Sequence, residues 1–252
     1  MSKRKIIFFL LLIIIFSLII LLSYKIYNIY HDNKKIDNEI NMIKEEVIVK
    51  DDEPKTIEDT NDDKEPVSDD STYKLPLDFN KLKSINSDTV AWIKVNNTNI
   101  DYPIVKANDN VYYLDHSFYK DKNVNGWIFE NSVNSSYFDD DNTTLFGHNT
   151  NGYTMFSELR DIYNGVLGTN INITIYLEND TINYKVFSVY LEKPNNTSNI
   201  SKYLNVDMIK EMQSKSKLKI DANINENSKI LTLSTCNNIT SDRIILHAVK
   251  VS

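Results

Sequence analysis

A single cysteine, Cys236, ends the run Ile230-Leu231-Thr232-Leu233-Ser234-Thr235. A run of this kind predicts a buried strand over Lys229–Ser234 that delivers a thiol to its C-terminal rim. A nucleophile there is held by a rigid element and opens onto a loop. At the ordinary thiol pKa near 8.5, only about 3% is thiolate at neutral pH. Nucleophilic work therefore needs a neighbouring base or positive charge. The alternative is a small buried hydrophobe. With one cysteine, no intramolecular disulfide can form.

Four histidines are candidate bases. His31 lies close to the N-terminal apolar segment, and His247 sits within an apolar strand between Leu246 and Ala248. His116 follows Tyr112-Tyr113-Leu114 and reads as structural. His148 differs: in Leu145-Phe146-Gly147-His148-Asn149 it comes just past a strand end, after a glycine that allows a tight turn. Only three of the 28 basic residues are arginine: Arg4, Arg160 and Arg243. Arg4 flanks the apolar segment and Arg160 belongs to a helical stretch. Arg243 opens the last strand, and if that strand neighbours the cysteine's, the two residues meet. A guanidinium fork there can hold a carbonyl oxygen or a developing oxyanion. Asp139-Asp140-Asp141 lacks the spacing and glycine of a calcium loop and reads as a solvated turn.

Positioning these residues falls to short strands separated by Asn, Asp and Gly clusters. They are expected at Val90–Val95, Asp101–Val105, Trp127–Glu130, Thr143–Phe146, Asn170–Leu177, Asn183–Leu191, Lys229–Ser234 and Arg243–Val251. Eight such strands suggest a closed barrel or a sandwich. Asp78 is the expected N-cap of a helix through Phe79, Leu82 and Ile85. Further helices are expected at Thr154–Tyr163 and Val206–Lys217.

The N-terminus carries Lys3-Arg4-Lys5 and then an apolar run from Ile6 to Leu22, broken only by Ser17. That length suits a bilayer core, and the positive cluster keeps the N-terminus inside. No small-residue cleavage site follows, so an uncleaved signal anchor is expected rather than a secretion signal. Ile36, Ile40, Ile43 and Val47 make an apolar helical stripe on a charged stalk. Between Asp51 and Asp70 there are ten acidic residues against two lysines, a composition that predicts a disordered linker. Such a linker could tether a domain clear of the membrane. The organisation expected is a cytoplasmic end over 1–5, a membrane span over 6–24, a stalk and linker over 25–72, and a catalytic domain over 73–252. Removing residues 1–72 is then expected to leave a soluble, folded, active domain. The net charge of −7 argues against nucleic acid as a partner.

Taken together, Thr232-Leu233-Ser234-Thr235-Cys236 with Arg243 resembles the TLxTC…R signature of sortases, and Gly147-His148-Asn149 resembles the segment carrying their histidine. The similarity continues through Ala91-Trp92-Ile93, Asn99-Ile100-Asp101-Tyr102-Pro103-Ile104 and Asn142-Thr143, and covers residues 75–252. Ser234 before Thr235, the helices at Phe79–Ile85 and Val206–Lys217 and the single N-terminal anchor resemble class B. One departure is Asn238, where some class B members carry an acid.

The resemblance implies a mainly β fold, an eight-stranded sortase barrel with an N-terminal helix and a helix between strands 6 and 7. It implies catalysis by Cys236, His148 and Arg243, with Thr235 and Ser234 at the substrate or oxyanion pocket, and no metal or organic cofactor. Expected partners are surface proteins bearing a C-terminal sorting signal, a peptidoglycan-precursor amine, and the membrane. The expected location is the cell membrane of a Gram-positive bacterium, with the catalytic domain outside. A membrane-tethered cysteine protease would use the same residues for hydrolysis. A non-catalytic envelope-binding module would leave their joint presence unexplained.

Overall fold

A computed structural model describes residues 3–48, 77–150, 152–196, 200–236 and 241–251, with the side chain of Cys236 outside the description. The acidic stretch 51–70 and Asn238 lie outside the described residues, as do the expectations attached to them.

The chain opens with one helix, α1 (Lys3–Val47). It contains neither glycine nor proline, so nothing in its sequence forces a break. The short helix α2 (Phe79–Ile85) begins after its expected N-cap, Asp78, whose side chain accepts from the Lys81 N–H at 2.9 Å. The strands follow: β1 (Thr89–Val95), β2 (Asp101–Val105), β3 (Phe129–Glu130), β4 (Asn142–Phe146), β5 (Asn172–Tyr176), β6 (Thr181–Glu192), β7 (Ile230–Cys236) and β8 (Arg243–Val251). They close a barrel in the order β1-β2-β3-β4-β7-β8-β6-β5. Closure leaves no open sheet edge. Two of the seams, β2–β3 and β4–β7, are parallel.

The helical insertions are shorter than their sequence patterns suggest. α3 covers Leu159–Tyr163 and not Thr154–Tyr163, because Thr154, Met155 and Ser157 are used in a tight turn closed by a hydroxyl network around Thr150. α4 spans Val206–Ser214, with Ile209 and Met212 buried. β7 runs two residues past Ser234 and takes Cys236 into the ladder.

Alternation along the strands splits the apolar residues between two cores. Leu231, Leu233, Leu246 and Ala248 belong to the main core, whereas Ile230, Ile245 and Val249 pack with Ile209 and Met212 of α4. His247, on this second face, is fully buried, and burial pushes its pKa down to about 3. Its Nδ1 lies 2.8 Å from Thr232 Oγ1 and its Nε2 3.0 Å from the Tyr190 hydroxyl. Both nitrogens are committed to the neutral ring, so His247 is a structural histidine.

The apolar stripe of the expected stalk is used against the barrel. Ile36, Ile40, Ile43 and Val47 are buried in the main core. Lys44 pairs with Asp101 at 2.7 Å, and the buried Glu39 carboxylate accepts from the Tyr119 N–H at 3.4 Å. Beyond α1, Ile48 and Leu77 form an antiparallel bridge, and the Asp78 N–H bonds the Val47 carbonyl at 2.9 Å. Residues 48 and 77, on either side of the undescribed segment, are therefore side by side.

A boundary at residue 73 omits all four stripe residues. Each full aliphatic burial contributes about 1.5–3 kcal/mol before the cost of ordering the helix is subtracted. Even a net loss of about 3 kcal/mol lowers the melting midpoint of a domain this size by roughly 6–12 °C. A chain starting at Ile26 should therefore melt well above one starting at Tyr73. Equal midpoints in differential scanning calorimetry would exclude the stripe from the cooperative unit.

Candidate active site

The site is assembled by the parallel seam between β4 and β7. Phe146 and Ser234 are register partners, and the Gly147 N–H donates to the Ser234 carbonyl at 3.3 Å. His148 and Cys236 each lie two residues beyond that pair. On the other side of β7, Cys236 is the register partner of Arg243. One transverse row thus carries the histidine, the cysteine and the arginine.

A cleft of about 280 Å³ lies over this row, lined by Phe129, Phe146, His148, Ser234, Thr235 and Arg243 among others. His148 is half-buried, and its Nε2 sits 2.7 Å from the carbonyl oxygen of Leu114, the last residue of the 3-10 helix Tyr112–Leu114. A carbonyl can only accept, so Nε2 carries the proton and, in the neutral ring, Nδ1 keeps its lone pair. The ring is thereby held in one tautomer with its other nitrogen available for proton transfer.

Arg243 lines the cleft and makes no ion pair or hydrogen bond among the described residues. Its neighbours are already engaged: Asp242 with Lys193 at 2.8 Å, and Glu192 with Lys215 at 3.4 Å. Ser234 Oγ and Thr235 Oγ1 are buried and have no hydrogen-bond partner among the described residues. Buried hydroxyls of this kind usually find a partner, and these two border the cleft.

The remaining sequence candidates fall elsewhere. His116 stacks on Tyr112 with ring centroids 4.1 Å apart and takes no part in the row. Arg160 lies 3.9 Å from Asp161. Asp140 caps the Ser135 N–H and Asp141 pairs with Lys229, so the acidic triplet is a turn. Among the described residues, no group of His, Cys, Asp or Glu is arranged to hold a metal ion.

Sequence reasoning missed the Leu114 carbonyl, since a backbone acceptor has no side-chain signature. It also missed Asn110, Pro194 and Ile200 on the cleft walls, which come from segments far apart in the chain.

A closed barrel that carries a cysteine, a histidine and an arginine at one rim is suited to acyl transfer through a thiol. The comparisons with known proteins lead to the same class. The sortase domain model matches residues 93–251. Sortase B of Staphylococcus aureus is 31% identical over 190 residues, which cover 69% of this chain and 75% of that protein. Sortase B of Listeria monocytogenes is 31% identical over 166 residues, and the chain spans 65% of its length. The crystal structure of Clostridium perfringens sortase B superposes with a TM-score of 0.65 at 36% identity, covering 69% of this chain and all of that one. A sortase B–substrate complex from Staphylococcus aureus gives 0.63 at 28% identity, covering 69% and 84%. This chain belongs to the sortase family, and these relatives are class B sortases.

Proposed function

We propose that the chain is a membrane-anchored cysteine transpeptidase that cleaves a C-terminal sorting motif after Thr and passes the acyl group to an amine. The Cys236 thiolate attacks the Thr carbonyl carbon, and the scissile C–N bond breaks to leave a thioester. His148 Nδ1 takes the Cys236 thiol proton and gives it to the departing amine, then removes one from the incoming amine as that amine displaces the thiolate. Arg243, with Ser234 and Thr235, holds the carbonyl oxygen as it gains charge. The acceptor is an amine of a peptidoglycan precursor, and the cargo is a surface protein with a C-terminal sorting signal.

The apolar part of α1 meets the length and composition of a membrane span. With Lys3-Arg4-Lys5 inside, the barrel lies outside the cell, at the envelope of a Gram-positive bacterium.

The observation that carries this reading is the single backbone row His148–Cys236–Arg243 at one cleft, where Arg243 has no side-chain partner among the described residues. The test is a screen of quenched fluorescent sorting peptides of the Asn-Pro-x-Thr and Pro-x-Thr-Gly types. It uses the chain from Ile26 onward, with and without amine acceptors. Cleavage after Thr that yields an amine-linked product and vanishes in Cys236→Ala is expected. Free acid as the sole product under every acceptor would show a protease instead.

A further inference from the structure

α1 is continuous from Lys3 to Val47, so one helix both crosses the membrane and packs on the barrel. Its middle has no glycine or proline, and a helix already formed at both ends pays no new nucleation cost between them. Tyr27 and His31 also meet one turn apart, with ring centroids at 6.1 Å. The helix can therefore be read as a scale, at 1.5 Å per residue from Leu22, where the apolar run ends.

The first barrel segment reached follows His148 closely in the chain. Asn33 packs so closely on Gly152 that a Cβ there would come within 2.4 Å of its Nδ2. Gly152 is four residues after His148. The next contact is Glu39 with the Tyr119 N–H, five residues after the Leu114 carbonyl that holds the His148 ring. Lys44 with Asp101 comes later, and α2 packs against the far end, where Glu46 meets Lys81. On the helix scale, Asn33 stands about 17 Å and Glu39 about 26 Å beyond the apolar boundary. The two segments that flank His148 are thus the membrane-side contacts, and α2 is the distant one.

Resting on the transpeptidase reading above, we propose that α1 is a molecular ruler. It holds the catalytic row with its histidine side toward the bilayer, at a fixed height, and so selects membrane-inserted substrates by spacing. A stretched chain covers at most about 3.3–3.6 Å per residue, so about five to eight residues bridge this height. The substrate class is a polypeptide whose scissile Thr lies at least that far from its own membrane-embedded segment. A substrate with a shorter spacer cannot reach the row.

The test uses the full chain in liposomes with membrane-inserted substrates bearing an Asn-Pro-x-Thr motif and spacers of 2 to 14 residues. Cleavage is expected to rise sharply near five to eight residues. Inserting a helical Glu-Ala-Ala-Lys-Glu-Ala-Ala segment after Lys25 adds two turns, about 10 Å, and nearly preserves the helix face. The threshold spacer should then move by about three residues. A Gly-Gly-Ser-Gly insertion at the same point should blur the threshold. Turnover of a soluble Asn-Pro-x-Thr peptide should be the same for all three proteins. An unmoved threshold, or no threshold, with normal soluble-peptide turnover would overturn the ruler alone. No turnover of either substrate would overturn the transpeptidase reading and the ruler with it.

Discussion

Arg243→Lys is expected to lower kcat/KM for peptide transfer by about 100-fold or more, the scale seen when one oxyanion donor is removed, without changing the melting temperature. Arg243 is half-exposed at the start of β8 and engages no described partner, so the folded state does not depend on it. What lysine lacks is the planar fork that offers two parallel N–H donors to one carbonyl group. The charge is retained, so any loss reports geometry and not electrostatics at long range. The loss should appear mainly in kcat if the fork grips the transition state, and in KM if it only holds the peptide. Steady-state kinetics on the peptide found by the screen decides this, and near-normal turnover would remove Arg243 from the mechanism.

The second large effect concerns stability. Glu130 is fully buried in β3, one residue from Phe129 in the cleft wall. Lys106 Nζ is 3.7 Å from its Oε2, an ion pair too long for a hydrogen bond, and neither carboxylate oxygen has a hydrogen-bond partner among the described residues. Burial raises its pKa to about 7, against the attraction of Lys106. The folded state therefore holds the proton more tightly than the unfolded chain does. The resulting stability is complete below about pH 4.5 and falls as pH rises toward 7, a total of about 3 kcal/mol. Glu130→Gln removes that dependence. Its advantage over the parent chain should be greatest above pH 7 and shrink toward pH 5, as read by urea denaturation at each pH. A variant less stable at pH 8 would mean that the Lys106 pair outweighs desolvation.

The parts of the fold legible in the sequence were those with a local cause. Short strand-like segments between Asn, Asp and Gly clusters marked the eight strands, and Asp78 marked the start of α2. The cysteine, histidine and arginine were found because each broke a pattern: a lone thiol ending an apolar run, a histidine after Gly147, an arginine in a lysine-rich chain. The parts that were not legible depend on pairings between distant segments. The stripe on α1 was visible, but its partner was not, since Ile36 and Ile43 meet residues far along the chain. The Thr154–Tyr163 pattern looked helical, yet hydroxyls around Thr150 hold its first half in a turn. Glu130 drew no attention, because a carboxylate in a short strand looks exposed until its neighbours are known.

The seam between β4 and β7 has a consequence for how such a protein can be altered. Histidine and cysteine are indexed by the same hydrogen-bond ladder, each two steps past the Phe146–Ser234 rung. Adding or deleting one residue inside either strand would shift the register of the residues that follow the rung. Lengthening the connections beyond them leaves that rung untouched. The strands thus behave as a chassis and the connections as exchangeable fittings. Loops grafted between Asn149 and α3, or between β6 and α4, should change which peptides are accepted while the Phe146–Ser234 rung stays aligned.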